Sequence, residues 1–254
     1  MKDSINIWKP VGLTPFEMIN SFKERYPEYS KQTISYAGRL DPMAEGILIL
    51  LVGEENKNRD KYLGFDKEYE AEIILGISTD TYDSLGKIRK VIDKEISNKK
   101  IENKLNQFIG IKKQIYPPYS SKTVNGKPLF WWARNKKISE IKIPSRKIEI
   151  YAIDLLAVSL IDSKNLSKQI IKNIKKLKGD FRQKEIIKEW EKLEKEYGNQ
   201  EFKKIKIRVS CSSGTYVRRL AQELGKNLKI GGFAVSIKRT KIGRIKREDC
   251  LILF

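Results

Sequence analysis

The chemistry in this chain starts from one carboxylate and a pair of arginines. Asp41 lies in Ser35-Tyr36-Ala37-Gly38-Arg39-Leu40-Asp41-Pro42-Met43-Ala44-Glu45-Gly46, directly before the apolar run Ile47 to Val52. Such a run, bounded here by Gly46 and Gly53, reads as a strand buried on both faces. Pro42 fixes its own φ and pushes Asp41 toward an extended conformation, so the carboxylate is held at the edge of a rigid element. A held carboxylate can act as a nucleophile, but the same pattern suits an Asx turn or a helix N-cap. Taken alone, the stretch favours the turn.

Arg218 and Arg219 pose a second question. The residues Ile205 to Cys211 alternate as a half-buried strand, and Ser212-Ser213-Gly214-Thr215 turn it into a helix whose inner face is Val217, Leu220, Ala221 and Leu224, with Gly225 as its C-terminal cap. Both arginines fall in the first turn, where the helix dipole disfavours cations by ~0.3–1 kcal/mol. Either an anion lies nearby or the two are simply solvated.

The chain contains no histidine. That removes Ser-His-Asp and Cys-His catalysis together with His-metal hydrolysis. Acids, bases and nucleophiles must come from Asp, Glu, Tyr, Lys or Cys. Only Cys211 and Cys250 are present, too few for a zinc site or a disulfide framework.

The surrounding elements follow from local pattern. Ile5 to Pro10 alternates as a first strand. Thr14, Pro15 and Glu17 form a capping box with proline at the first helical position, and Phe16, Ile19 and Phe22 supply the apolar face of a helix that Pro27 ends. Lys67 to Gly76 reads as a strand with Tyr69, Ala71 and Ile73 on one face, and Thr79 to Gly86 is turn chemistry. A short helix is expected over Ile101 to Ile109. Tyr116-Pro117-Pro118-Tyr119-Ser120-Ser121 must be an extended surface segment, and Asn125-Gly126 marks a two-residue hairpin. Val235 to Thr240 is a last strand.

At 254 residues the chain is long enough for one large domain. Residues 161–204 form a charged helical insertion, with apolar spacing at Ile170, Ile174 and Leu177 and again at Ile186, Ile187, Trp190 and Leu193. No apolar run is long enough to span a membrane and no signal peptide is visible, so a soluble, cytoplasmic protein is expected. The formal charge is +20, from 52 Lys and Arg against 32 Asp and Glu. Residues 161 to 206 hold 14 basic and 8 acidic residues, so only +6 of that excess lies there and the rest is spread over the chain. Such a surplus points to a polyanion, most simply nucleic acid, although AT-biased genomes also produce Lys-rich chains.

Five blocks, in order, resemble the TruB-type pseudouridine synthases. They are Lys9-Pro10 with Gly12 and Thr14; Gly38-Arg39-Leu40-Asp41-Pro42 with Ala44 and Gly46; Lys67 and Tyr69 through Leu75-Gly76 and Thr79-Asp80-Thr81 to Asp83 and Gly86; Pro117-Pro118-Tyr119-Ser120 with Lys122, Asn125-Gly126 and Ala133-Arg134; and Cys211-Ser212-Ser213-Gly214-Thr215-Tyr216-Val217-Arg218. The match covers nearly the whole chain except residues 161 to 200.

The resemblance implies an α+β fold, with a central mixed, mainly antiparallel sheet flanked by helices. It also implies a cofactor-free, metal-free isomerase that flips a uridine of tRNA, uracil-55 of the T loop, and converts it to pseudouridine. Asp41, Tyr69 and Arg218 become the catalytic residues. Tyr36, Arg39, Lys67, Tyr119, Lys122, Arg134 and Arg219 become RNA contacts on the T arm, and Lys9, Pro10, Gly38, Leu40, Pro42, Gly214 and Thr215 become structural. The expected protein is a monomer, with no protein partner, acting in the cytoplasm.

Three departures stand out. Tyr36 occupies the place where the family commonly has histidine. Gly38-Arg39-Leu40-Asp41 is similar to the motif of ribosomal RNA synthases, although the other four blocks decide against that branch. The chain stops at Phe254, leaving no room for a PUA domain, so one catalytic domain over 1–254 is expected. The competing class is a non-catalytic RNA-binding or tRNA-folding module on the same scaffold. Binding alone, however, needs none of Asp41, Tyr69 and Arg218.

Overall fold

In a computed structural model, which describes residues 3–254, the chain winds around one large sheet. It opens with β1 (Ser4–Lys9), then α1 (Pro15–Arg25), β2 (Ile34–Ala37), β3 (Ala44–Val52), α2 (Arg59–Leu63) and β4 (Lys67–Leu75). The middle runs through β5 (Ile77–Thr79), β6 (Ile88–Val91), α3 (Asn98–Asn106), β7 (Gly110–Ile115), β8 (Thr123–Val124), β9 (Lys127–Pro128) and α4 (Leu129–Arg134). It closes with β10 (Ser145–Asp162), α5 (Ser163–Ile174), α6 (Gln183–Tyr197), β11 (Glu201–Cys211), α7 (Val217–Asn227) and β12 (Gly232–Ile242).

The main sheet has the order β1-β3-β12-β4-β11-β10-β7, with β2 added on β3. Among the described residues its ladders are antiparallel except β3 against β12, where Ala44 faces Ile237. This is the mixed, mainly antiparallel sheet that the resemblance implies. The β3 run from Ile47 to Val52 is buried throughout, as its unbroken apolar sequence requires.

Each face of the sheet buries a different set of helices. Ala71 and Ile73 of β4 with Ile205, Ile207 and Val209 of β11 pack on Leu220, Ala221 and Leu224 of α7 and on Ile101 and Leu105 of α3. On the other face Ile74 and Phe233 meet Leu166, Ile170 and Ile174 of α5 and Ile186, Trp190 and Leu193 of α6. The charged region 161–204 therefore covers one face of the sheet at β4 and β12, its charges lying on the outer side of two amphipathic helices. Trp190 is fully buried against Phe233, with ring centroids 5.5 Å apart. Trp190→Ala is expected to destabilise the fold by about 3–5 kcal/mol, because the cavity cannot collapse between two helices and a sheet. Chemical denaturation measures it, and a loss under about 1 kcal/mol would show α5 and α6 to be dispensable cover.

Several local expectations hold in detail. Thr14 caps α1: its side chain accepts from Glu17 N while Glu17 accepts from Thr14 N, the reciprocal pair of a capping box. Asn125 and Gly126 form the hairpin turn between β8 and β9, both at positive φ.

Others need correction. Phe16 is 67% exposed, and the inner face of α1 is Pro15, Met18, Ile19 and Phe22. The third helix starts at Asn98 and ends at Asn106, before Ile109. Gly225 is not a cap, since α7 continues to Asn227. Its role is close approach: a Cβ there would lie 2.1 Å from the Gly231–Gly232 backbone, so only glycine lets α7 lie against the start of β12. The segment 116–121 is neither extended throughout nor purely surface: it turns at Pro118–Tyr119 and bends at Ser120, and Pro117 and Ser120 are buried.

Candidate active site

The start of β3, the N-terminus of α7, the turn after β5 and the segment 116–121 converge on one cleft of about 720 Å³. Their meeting point is Arg218. Its guanidinium is almost fully buried and donates from Nε to Asp41 Oδ2 at 2.9 Å, from Nη1 to the Thr81 carbonyl at 2.9 Å and from Nη2 to the Tyr119 carbonyl at 3.0 Å. Asp83 stands 3.8 Å from the same Nε. Burial opposes this charge, yet Asp41 and Asp83 together hold its pKa above the ordinary arginine value. The anion that the helix N-terminus demanded is therefore a carboxylate of the chain itself.

Asp41 keeps one side open. Its side chain is 31% exposed, and Oδ1 accepts no hydrogen bond from the protein among the described residues. One oxygen is thus fixed by a buried cation while the other is free at the cleft. The side chain therefore closes no Asx turn among the described residues, and a carboxylate held this way can act as a nucleophile. Asp83 is anchored by the Thr81 hydroxyl at 2.5 Å and by Leu85 N at 3.0 Å, and burial raises its carboxyl to about 6 against the pull of Arg218.

The loop that carries Asp41 is clamped from two directions. Lys9 is fully buried, and its Nζ donates to the carbonyls of Leu13 at 2.7 Å, Pro10 at 3.0 Å and Pro42 at 3.4 Å. Burial pulls this ammonium down to about 7, while Asp41 pulls it back up. From the opposite side Arg239 of β12 donates to the carbonyls of Ile47 at 2.8 Å, Gly38 at 3.0 Å and Arg39 at 3.4 Å. Sequence reasoning missed Arg239, but the signal was there: it continues the buried parity of Ile237, and a cation at an inward strand position must meet acceptors.

Tyr69 forms the wall beside this loop. It is 8% exposed, burial raises its hydroxyl pKa, and Arg239 offsets part of that rise as a hydrogen-bonding cation. Gly214 closes the other side. Its φ is +75°, and a Cβ there would lie 1.7 Å from Arg146 Nη1, so the guanidinium occupies the space a side chain at 214 would need, at the cleft edge. Arg146 is a second cleft residue that sequence reasoning did not single out.

The expected RNA contacts divide. Tyr36 and Arg39 line the cleft and bond to each other, Arg39 Nη2 donating to Tyr36 Oη at 3.0 Å. Tyr119 and Arg134 also line it, Arg134 donating to the Asp180 carbonyl at 2.6 Å. Lys67 reaches the cleft, but its Nζ is spent on the Leu63 carbonyl at 2.7 Å and on the Phe65 carbonyl, and burial lowers it to about 8. Lys122 lies outside the cleft, exposed, 5.8 Å over the Tyr116 ring. Arg219 is also outside, with Nε 2.8 Å from Glu223 and Nη1 donating to Tyr82 Oη at 3.2 Å.

The model of the TruB family pseudouridylate synthase (N terminal domain) matches residues 27–181, more than half of the chain. The chain belongs to the TruB family of pseudouridylate synthases.

Among TruB relatives, the tRNA pseudouridine synthase B of Clostridium novyi (strain NT) is 30% identical over 253 residues, which is all of this chain and 71% of that protein. Its counterpart from Aquifex aeolicus (strain VF5) is 29% identical over the same length, 72% of its own. That of Francisella tularensis subsp. tularensis (strain WY96-3418) is 34% identical over 227 residues, 89% of this chain and 61% of the relative. Among solved structures, a chain of a Cbf5-Nop10-Gar1 complex superposes on 98% of this chain and 52% of its own length, with a TM-score of 0.61 at 19% identity. That likeness shows the TruB chain's fold. Among the described residues, no helix is long and apolar enough to cross a membrane.

Proposed function

We propose that this protein converts the T-loop uridine of tRNA, uracil-55, to pseudouridine, with Asp41 as the nucleophile. The observation that carries the reading is the Asp41–Arg218 pair at 2.9 Å, with one carboxylate oxygen free in a cleft large enough for a flipped nucleotide. Relatives similar over the full length of this chain bear the name tRNA pseudouridine synthase B, which supports tRNA as the substrate.

Pseudouridine formation breaks the bond from uracil N1 to the ribose C1′ and rejoins the base through C5. Asp41 either adds to C1′ as the base departs or removes the ribose C2′ proton to give a glycal; when C5 bonds to C1′ the Asp41–C1′ bond breaks in the first route and the proton returns to C2′ in the second, so both regenerate the carboxylate. The proton then leaves C5 and N1 gains one, so the reaction balances as an isomerisation. Arg218 keeps the Asp41 carboxylate aimed, and its own three-sided anchoring keeps it from following a substrate phosphate. Tyr69 supplies an aromatic face for the turned base.

The T arm lies across the cleft mouth, over Tyr36, Arg39, Tyr119 and Arg134. Residues 161–204 belong to the same catalytic body, and the protein works as a monomer in the cytoplasm. Incubation with a tRNA transcript should place one pseudouridine in the T loop and none in a transcript with a scrambled T arm. Modification elsewhere in the tRNA, or only in ribosomal RNA, contradicts the reading. Binding should fall with salt at a log-log slope of roughly −0.7 per phosphate contact on single strands, and a flat titration would mean that the +20 charge is not used on RNA.

A further inference from the structure

The α5–α6 connection reaches the active site through one side chain. Arg182, at the N-terminus of α6, holds a left-handed conformation with φ 62° and ψ 27°, unusual for a residue with a Cβ. Its guanidinium donates from Nη1 to Asp80 Oδ2 and to Tyr119 Oη, both at 2.8 Å, and from Nη2 to Asp80 Oδ1 at 3.2 Å. It also stacks over the Tyr119 ring at 4.4 Å. Asp80 is 6% exposed, and its other contacts are Lys87 N at 2.9 Å, the Tyr119 hydroxyl at 3.2 Å and the exposed Arg89 at 3.6 Å.

The two residues that Arg182 grips lead directly to Arg218. Tyr119 presents its carbonyl to Arg218 Nη2, and Thr81, next in the chain to Asp80, presents its carbonyl to Nη1. Arg182 therefore braces Tyr119 and the residue before Thr81, the two residues whose carbonyls set the Arg218 plane being Tyr119 and Thr81.

We propose that Arg182 is a positioning residue for the pseudouridylation described above, tying the helical region 161–204 to the Asp41–Arg218 pair through Asp80 and Tyr119. It bonds to none of the reacting groups. Its planar fork and its stacking on an aromatic ring are both arginine properties that lysine reproduces only as charge.

The proposal rests on the function reading, so the test has one arm that needs substrate and one that does not. In the first, single-turnover pseudouridine formation at saturating tRNA is measured beside tRNA affinity for Arg182→Ala, Arg182→Lys and Lys178→Ala, an exposed residue of the same connection outside the cleft. Arg182→Ala should lose at least tenfold in rate with affinity within threefold, Arg182→Lys should lose less, and Lys178→Ala should match the native protein. In the second, hydrogen exchange of the free protein should quicken at least tenfold at 79–83 and 119–122 in Arg182→Ala but not in Lys178→Ala. If Arg182→Ala does not fold, Arg182→Lys carries both arms, with at least a threefold effect expected in each. Unchanged rate with unchanged exchange overturns the proposal, as does a loss confined to affinity. If the native protein itself leaves tRNA unmodified, the function reading fails and the exchange arm alone decides whether Arg182 sets this loop.

Discussion

Asp41→Asn is expected to abolish turnover while leaving tRNA affinity within a few fold. The change removes the charge that attacks or abstracts but keeps the shape, and Asn Oδ1 can still accept from Arg218 Nε. The buried guanidinium is not stranded, since the carbonyls of Thr81 and Tyr119 still accept from it and Asp83 remains beside it. Folding should therefore survive, in contrast to variants that remove Arg218 and leave Asp83 without its cation. Filter binding and single-turnover conversion separate the two effects. Sustained turnover by a clean Asp41→Asn preparation would remove Asp41 from the nucleophile's role.

The second large effect is expected at Tyr69. Its hydroxyl is raised by burial, so at neutral pH the resting group is a phenol, a poor base by its reference value of about 10. Arg239 beside it opposes that rise and would stabilise a transient phenolate as the C5 proton departs. Tyr69→Phe keeps the ring and deletes this oxygen alone. With tRNA carrying tritium at uridine C5, the variant should bind normally and release tritium far more slowly than the native enzyme. Near-native release would assign the proton to another acceptor and leave Tyr69 as a stacking surface.

The parts of this site that are legible in the sequence are those encoded by neighbours in the chain. The apolar run of β3, the Thr14–Glu17 capping box and the Asn125-Gly126 turn are local patterns, and each folds as its local chemistry dictates. The cation at the start of α7 was a local anomaly, and its resolution by Asp41 joins residues 177 apart in sequence. Illegible were the clamps made to backbone carbonyls. Lys9 and Arg239 hold the Asp41 loop through acceptors that every residue possesses, so Lys9 is marked only by the resemblance and Arg239 only as a cation at an inward strand position, and neither pattern says which carbonyls are gripped. The same holds for Lys67, whose sequence suggests a phosphate ligand until burial turns its amine inward. Phe16 misleads for a geometric reason: in the first turn of α1 its side chain points past the sheet and lines the cleft instead.

Residues 161–204 show the limit of charge as a guide. Their sequence is heavily charged and reads as an insertion, yet Leu166, Ile170, Ile186 and Trp190 are buried in the cover of the sheet. Amphipathic helices carry both messages at once, and only the partner face tells which one organises the fold.

The measurement that bears most directly on the whole account is pseudouridine mapping of tRNA from a strain lacking this protein, complemented with the native chain or with Asp41→Asn. The account predicts that the T-loop uridine is unmodified in the deletion, restored to pseudouridine by the native chain and left unmodified by Asp41→Asn expressed at the same level. Persistence of that pseudouridine in the deletion, or its restoration by Asp41→Asn, would contradict it.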